Sequence, residues 1–254
     1  MVLFQRLIWG ALAVALLLGS VQTALQQWQA APILLAAEAF EAQPAAPAMA
    51  MGHGHDRADA HAGAGDDWAP ANGLERTGWT WVANVLHVFS LALLMFAVMG
   101  LWVWRRGSPP APLRLAFVVA AAGWLSLHLW PALGLPAQVP GMEAAGLGAR
   151  QGWWLLAAGS AALACVSVAV LRTPWRWLLA LACLVLPFVW GAPQIAGDPV
   201  AGFGADAQAQ LRALGAHFVR VTDGLALTLW VGLGGICGRV FQRWLQPVIG
   251  TVRP

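Results

Sequence analysis

The sequence contains no tyrosine, all 14 of its basic residues are arginine, and only 10% of its 254 residues are charged. Soluble domains usually carry about 25% charged residues. Hydrophobic residues make up 59% of the chain and the mean hydropathy is +0.66, so an ordinary soluble domain is excluded. The formal net charge of +3 does not indicate nucleic-acid binding, because the arginines cluster at the ends of apolar segments. The composition predicts a protein embedded in a lipid bilayer.

Cysteines and catalytic motifs are also scarce. Cys165, Cys183 and Cys237 lie in apolar segments without a CxxC pair, which predicts packing residues rather than a disulfide framework. The chain lacks the G-x-x-x-x-G-K-[ST] phosphate-binding motif, the HExxH zinc motif and a nucleophile–base set. An enzyme is therefore not expected, and any ATP hydrolysis would have to come from another protein.

A helix needs about 20 apolar residues to cross the hydrocarbon core of a bilayer. The predicted spans are Leu7–Leu25, Gly78–Trp104, Leu113–Leu133, Trp153–Leu171, Trp175–Trp190 and Ala216–Phe241. The fifth is the shortest, and five spans remain if it does not cross. The first resembles a signal-peptide core but extends to Leu25, which favours a retained helix. The expected fold is an all-α polytopic membrane protein with about six spans in a single domain, residues 1–254.

The arginines predict the orientation, since cytoplasmic segments of membrane proteins are enriched in Lys and Arg. If the N-terminus is inside, nine arginines lie in inner segments and four in outer segments. Both termini are therefore expected in the cytoplasm, with residues 26–77 as an extracytoplasmic loop between the first two spans. In the last span, Gly234 and Gly238 form a GxxxG motif, which predicts close contact with another helix.

The extracytoplasmic loop contains the segment MGHGHDRADAH, which concentrates metal-ligand side chains. Its candidate ligands are His53, His55, Asp56 and His61. Imidazole suits nickel, copper and zinc ions, whereas carboxylates suit harder ions. Ordering such a loop costs on the order of 1–2 kcal/mol per residue, so metal capture should be loose and suited to delivery. The alternative is a solvated linker without a metal role.

Polar residues inside the predicted spans lie in the half of the membrane nearest this loop. The candidate ligands are His87, His128, His217 and Asp223, with Asn84 as a pathway residue and Glu75 and Glu143 near the entrance. Polar groups within a membrane usually face the interior of a helix bundle and mark ion pathways. Each histidine alone could instead bond to a neighbouring helix, and Arg220 could simply neutralise Asp223. Their shared side of the membrane predicts a metal pathway.

Four segments of the chain carry a resemblance to a known family. They are ALQQWQAAPILLAAEAFE, WAPANGLERTGWTWVANVL, HLWPALGLPAQVPGMEAAGLGARQGWWLL and LPFVWGAPQ. Over nearly the whole chain, the sequence is similar to the CbtA family of proposed cobalt transporter subunits. The positions that fit the family patterns are Trp68, Pro70, Glu75, Arg76, Thr77, Pro131, Gly134, Pro136, Pro140, Gly141, Met142, Arg150, Gln151, Gly191, Ala192, Pro193 and Gln194. Asn72 stands where the pattern has aspartate.

The resemblance implies an inner-membrane protein, encoded near cobalamin genes, that works with a small single-span, histidine-containing subunit, CbtB. It adds Arg76, Arg150 and Gln151 as candidate entrance residues. The expected function is uptake of a transition metal, with the loop capturing the ion and the intramembrane residues passing it inward. Co²⁺ or Ni²⁺ is then a substrate, and no permanently bound cofactor is expected.

Two other functions stay open at this point. One is a membrane chaperone or sensor for nickel or copper that binds metal without conducting it. The other is a membrane redox enzyme with histidines as haem ligands, which would require histidine pairs at matched depth on facing helices.

Overall fold

The computed structural model describes residues 2–41, 70–71, 73–107 and 111–252, which contain helices and no strands. The α-helices are α1 Val2–Gln29, α2 Ala31–Glu41, α3 Leu74–Arg106, α4 Pro112–Trp124, α5 Trp130–Gly134, α6 Leu147–Val170, α7 Trp175–Trp190, α8 Ala205–Val240 and α9 Gln246–Val252. Two π-helical segments, Leu125–Leu129 and Phe241–Leu245, join α4 to α5 and α8 to α9. The predicted loop ligands His53, His55, Asp56 and His61 lie outside the described residues.

Within these ranges, five helical segments are long and apolar enough to cross a membrane, which confirms the all-α polytopic fold. They are Leu3–Gln29, Leu74–Arg106, Pro112–Gly134, Leu147–Val170 and Ala205–Ile249. The predicted fifth span is α7, a helix of only 16 residues. Its length of about 24 Å is less than the hydrocarbon core of about 30 Å. Five segments therefore reach membrane-spanning length, and α7 is a shorter apolar helix.

Helices α6 and α7 form an antiparallel hairpin joined by a tight turn. Near the start of α6, the indole N–H of Trp153 donates a hydrogen bond of 3.1 Å to the carbonyl of Pro187, near the end of α7. The indole N–H of Trp130 in α5 donates a second bond of 3.0 Å to the carbonyl of Leu184. Helix α7 therefore returns the chain to the end of the molecule where α6 begins.

The main hydrophobic core lies between α1, α3, α4 and α8. Glycines of α8 let α4 approach closely: a Cβ on Gly234 would lie 2.6 Å from Cδ1 of Phe117, and one on Gly238 would lie 2.9 Å from Cβ of Ala116. The prediction that the GxxxG motif serves helix packing is confirmed. The three cysteines are free thiols, which agrees with the absence of a disulfide framework.

A second, smaller core lies at one end of the bundle, which we call the loop end. It is formed by α2, the loops 135–146 and 191–204, and the first half of α8. Its buried side chains are Ile33, Ala37, Val139, Val200 and Leu211. Helix α2 belongs to residues 26–77 and was not expected, although its sequence APILLAAEAFE is apolar enough to pack against α8. The loop end therefore has a packed layer that includes part of this segment.

Each of the two π-helical segments comes just before a proline. In the first, the N–H of Trp130 bonds to the carbonyl of Leu125, and Pro131 follows. In the second segment, Phe241–Leu245, the N–H of Gln246 bonds to the carbonyl of Phe241, and Pro247 follows. Proline lacks an N–H, and its ring clashes with the carbonyl four residues earlier in a regular α-helix. A wider turn ahead of the proline relieves that clash while the helix continues.

Candidate functional site

His128 and Asp223 are the two predicted ligands that the structure brings together. Nε2 of His128 lies 3.0 Å from Oδ1 of Asp223. The histidine side chain is 18% exposed and the aspartate side chain 52% exposed, so the pair is accessible from the Asp223 side. The pair connects α8 to the first π-helical segment. Asp223 thus uses His128 as its partner, whereas the sequence had offered Arg220 as the alternative.

The local backbone explains why these two side chains meet. His128 lies in the π-helical turn that precedes Pro131, and π-bulges occur frequently at functional sites. Between one and two turns further from the loop end, α4 and α8 pack closely, because the ring of Trp230 occupies the space where Gly123 has no side chain. A Cβ on Gly123 would lie 2.3 Å from that ring. This close approach holds the two helices side by side at the level of the pair.

An imidazole and a carboxylate at this separation can share one metal ion. Cis ligands of an octahedral ion with bonds of about 2.1 Å lie about 3.0 Å apart, which matches the observed distance. Metal binding requires a neutral imidazole and an ionised carboxylate, so an ion would displace the proton that the two groups share. The pair supplies two ligands, and the remaining positions would belong to water or to groups from another subunit.

The other predicted intramembrane ligands do not join this pair. Among the described residues, no three His, Cys, Asp or Glu side chains lie close enough to hold a metal ion. His87 is exposed on α3, and His217 is exposed on α8. Asn84 donates hydrogen bonds of 2.9 Å to Oγ1 of Thr23 and 2.8 Å to Oε1 of Gln26. In this structure Asn84 therefore fastens α3 to α1.

Glu75 and Arg76, predicted near the entrance, both form bonds within the loop end. Oε2 of Glu75 accepts a hydrogen bond of 3.3 Å from the backbone N–H of Ala71. The guanidinium of Arg76 donates two hydrogen bonds, of 2.5 Å and 3.2 Å, to the carboxylate of Glu38 in α2. This hydrogen-bonded guanidinium holds the pKa of Glu38 below its usual range. The ion pair fastens α2 to the start of α3.

A cavity of about 310 Å³ lies between the two loops of the loop end and α8. Arg150 lines it from the segment that contains PALGLP, and Pro193 and Gln194 line it from the segment that ends in GAPQ. Two separate segments that carry the family resemblance therefore meet at one place. Val219 of α8 contributes to the lining, and Asp223 follows it by about one helical turn. The cavity and the His128–Asp223 pair are thus neighbours along α8.

Local backbone features give these loops their shape. Gly141 and Gly191 have φ angles of +83° and +90°, in the left-handed region that glycine adopts without strain. The backbone N–H of Glu143 donates a hydrogen bond of 2.9 Å to the carbonyl of Pro199, which joins one loop to the other. The side chain of Glu143 is exposed and does not line the cavity.

The described side chains that line the cavity include two arginines and no acidic residue. Arg212 forms an ion pair with Asp198. The guanidinium of Arg150 has no hydrogen-bond or ion-pair partner in the described part of the chain. Oε1 of Gln138 is buried and has no hydrogen-bond partner among those same residues. Gln151 is exposed and lies outside the lining.

Sequence reasoning did not single out Gln138 or Arg212. Gln138 is a polar residue between Pro136 and Pro140, in a loop whose prolines restrict the backbone. This position in the sequence could have indicated that its side chain has a functional role. Arg212 is one of the four arginines that the orientation places in outer segments. The π-helical turn was also missed, although Pro131 inside an apolar helical segment was a visible signal.

The comparison with known families gives one match. A sequence profile described as probable cobalt transporter subunit (CbtA) matches residues 4–242 of the chain. No curated protein and no solved structure gave a significant match. A transporter subunit is not a class of enzyme, and the word subunit implies further subunits. With its membrane-length helices, the chain is a multi-pass membrane protein with a role in transport. It belongs to the CbtA family of probable cobalt transporter subunits.

Proposed function

We propose that the chain is the membrane subunit of a transition-metal uptake transporter, with Co²⁺ as its most favoured substrate. The observation that carries this proposal is the 3.0 Å contact between His128 and Asp223. A histidine and a carboxylate between apolar helices are costly to place in a membrane, and such residues usually mark ion pathways. Its placement in a π-helical turn, in a family of probable cobalt transporter subunits, supports a step of metal transfer.

The proposed orientation of the protein in the membrane rests on the distribution of charge. The arginines at the end opposite to the loop end are Arg6, Arg105, Arg106, Arg114, Arg172, Arg176, Arg239 and Arg243. Since cytoplasmic segments accumulate arginine, this distribution supports a bacterial inner-membrane protein with its loop end outside and both termini in the cytoplasm. The segment with His53, His55, Asp56 and His61 then lies at the outer face, where it collects the ion.

His87 supports the participation of a second subunit. It is exposed on α3, as are the neighbouring Leu86, at 61%, and Leu94, at 49%. A histidine on a lipid-facing surface is unfavourable, so a partner helix that covers it would relieve the penalty. We assign this position to a single-span, histidine-containing subunit of the CbtB type. His87 would then complete the pathway at the contact between the two subunits.

Uptake of radioactive cobalt separates a transporter from a metal-binding chaperone or sensor. Cells that express the chain with its partner should accumulate cobalt above empty-vector cells, because both subunits supply ligands. Cells that express the chain alone should accumulate less. A chaperone or sensor for nickel or copper would bind metal as a purified protein without raising cellular accumulation. No increase over empty-vector cells would reject the transport function.

A further inference from the structure

The cavity at the loop end has the size and construction of a ligand site. Pockets for small molecules usually have volumes of about 300–1,000 Å³, and the volume of about 310 Å³ lies at the lower limit of that range. Its walls come from two loops that are joined by the bond between Glu143 N–H and the carbonyl of Pro199. A site of this size fits a small ligand or a headgroup rather than an extended chain.

The charge of the cavity determines which ligands it can accept. Arg212 is already paired with the carboxylate of Asp198. Arg150 lines the cavity, and its guanidinium has no partner in the described part of the chain, so its N–H groups remain available. Since no described lining residue is acidic, this space repels a bare divalent cation and attracts an anion.

The amide of Gln138 points to the same class of ligand. Its Oε1 is buried without a hydrogen-bond partner among the described residues, which is uncommon in native proteins. The amide nitrogen of Gln138 carries two N–H donors and is not one of the buried unpaired atoms, and no described residue accepts a hydrogen bond from it. A ligand with acceptor oxygens would therefore satisfy both Gln138 and Arg150.

We propose that this cavity binds an oxyanion, a carboxylate or phosphate group, through the guanidinium of Arg150 and the amide of Gln138. Arginine often binds carboxylates and phosphates through two parallel hydrogen bonds, which makes such contacts strong and directional. The group belongs either to a small soluble anion or to the headgroup of an anionic lipid. The inference goes beyond the proposed transport of metal, because its binding is measured without any metal ion.

Isothermal titration of the full chain tests the proposal. The protein is placed in nanodiscs of phosphatidylcholine, without metal, and titrated with citrate and separately with inorganic phosphate at constant ionic strength. Saturable binding of at least one anion is expected, and Arg150→Gln should weaken it at least tenfold, because a charge-assisted bond is lost. Arg172→Gln is the matched control, since Arg172 is exposed in the turn between α6 and α7. Its affinity should match that of the unaltered protein.

A second variant separates ligand binding from a structural role. Gln138→Leu removes the unpaired buried oxygen, so thermal stability should be unchanged or higher while the affinity for the anion falls by about fivefold. Arg150→Lys keeps the charge but not the two-pronged geometry, and it should bind with intermediate affinity. A Gln138→Leu protein that binds the anion with full affinity would overturn the role given to this amide.

Nanodiscs that contain phosphatidylglycerol identify the source of the oxyanion. If a lipid headgroup occupies the cavity, these nanodiscs should raise the thermal stability of the unaltered protein and of Arg172→Gln but not of Arg150→Gln. Saturable binding of a soluble anion in phosphatidylcholine alone assigns the site to that anion. The proposal is overturned if neither soluble anion binds and phosphatidylglycerol gives no stabilisation that depends on Arg150. It is also overturned if Arg150→Gln and Arg172→Gln bind the anion with equal affinity.

Discussion

At the loop end, the role of each basic side chain depends on whether it has a carboxylate partner. Glu38 forms an ion pair with Arg76, and Asp198 forms one with Arg212. These ion pairs hold helices and loops in place. Asp223 instead contacts a histidine, and we propose that this pair binds metal. Arg150 faces the cavity without a carboxylate partner in the described part of the chain, which leaves its charge for a ligand. Under the two proposals, the same types of residue thus serve structure, metal binding and anion binding according to their partners.

The ion pair between Glu38 and Arg76 predicts a pH-dependent stability. The pKa of Glu38 lies below its ordinary value of 4.5, chiefly because of the hydrogen bond from Arg76. Its contribution is therefore complete above pH 4.5 and is lost as the pH falls through the lower pKa of the folded protein. Glu38→Gln should lower the free energy of unfolding by about 0.2–1 kcal/mol at pH 7, the range for partly exposed pairs.

Thermal unfolding in detergent at several pH values measures this effect. The difference between the unaltered protein and Glu38→Gln should shrink toward zero as the pH is lowered past the pKa of Glu38. Glu143→Gln, at an exposed side chain, is the control and should show little difference at any pH. A Glu38→Gln difference that stays constant with pH would contradict the role of the ion pair.

At the scale of helices, close backbone approach determines which pairs pack. A Cβ on Gly19 of α1 would lie 2.9 Å from Cα of Val85 in α3, and backbone atoms cannot move aside as a side chain does. Gly19→Ala should therefore lower the free energy of unfolding by about 1–3 kcal/mol. Gly159→Ala in α6, with no neighbour within 4 Å, is the control and should be neutral or stabilising, since alanine favours a helix.

Unfolding of both glycine variants in detergent, followed by tryptophan fluorescence, checks this prediction. Equal stability of Gly19→Ala and Gly159→Ala would show that the contact between α1 and α3 is looser than described.

The proline after the first π-helical segment predicts a separate effect on function. Pro131→Ala restores a backbone N–H, so α4 and α5 can continue as a regular α-helix and His128 turns away from Asp223. Cobalt uptake should fall severalfold while stability is unchanged or higher. Pro247→Ala is the matched control, because the second π-helical segment carries no such pair, and it should leave uptake intact. Full uptake by Pro131→Ala would show that the π-helical turn is not required.

The helices could be predicted from the sequence better than their contacts. The bounds of α7 are those expected, because Trp175 and Trp190 mark the ends of an apolar run. Helix α2 was missed, since its apolar run is too short to span a membrane. His128 and Asp223 lie 95 residues apart in the chain, and their approach depends on how the two helical segments that carry them are rotated. Hydropathy does not give that rotation, which also explains why the cavity was not foreseen.

Over the whole molecule, the two ends differ in composition. The loop end carries the cavity and the His128–Asp223 pair, whereas the opposite end is rich in arginine. There the guanidinium of Arg6 donates a hydrogen bond of 3.1 Å to the carbonyl of Trp244, and that of Arg106 donates one of 2.9 Å to the carbonyl of Ala169. This asymmetry supports the proposed orientation, with the loop end outside and the arginine-rich end in the cytoplasm.

The segment between α2 and α3 should affect how much metal is collected rather than which route it takes. Deletion of residues 51–61 removes His53, His55, Asp56 and His61. Uptake should therefore fall at scarce cobalt, because the local ion concentration is lower, and should be normal at plentiful cobalt. Uptake measured across a range of cobalt concentrations checks this. Loss of uptake at every concentration would place the essential site in this segment instead of in the helix bundle.

Cobalt uptake by variants of the histidine–carboxylate pair tests the proposed pathway most directly. In cells that also express the partner subunit, His128→Ala and Asp223→Asn should each reduce uptake at least tenfold at scarce and plentiful cobalt. The double variant should be no worse than either, because the two groups act on one ion. Asp206→Asn, at the exposed start of α8, is the control and should transport normally. Normal uptake by both single variants would contradict a pathway through this pair.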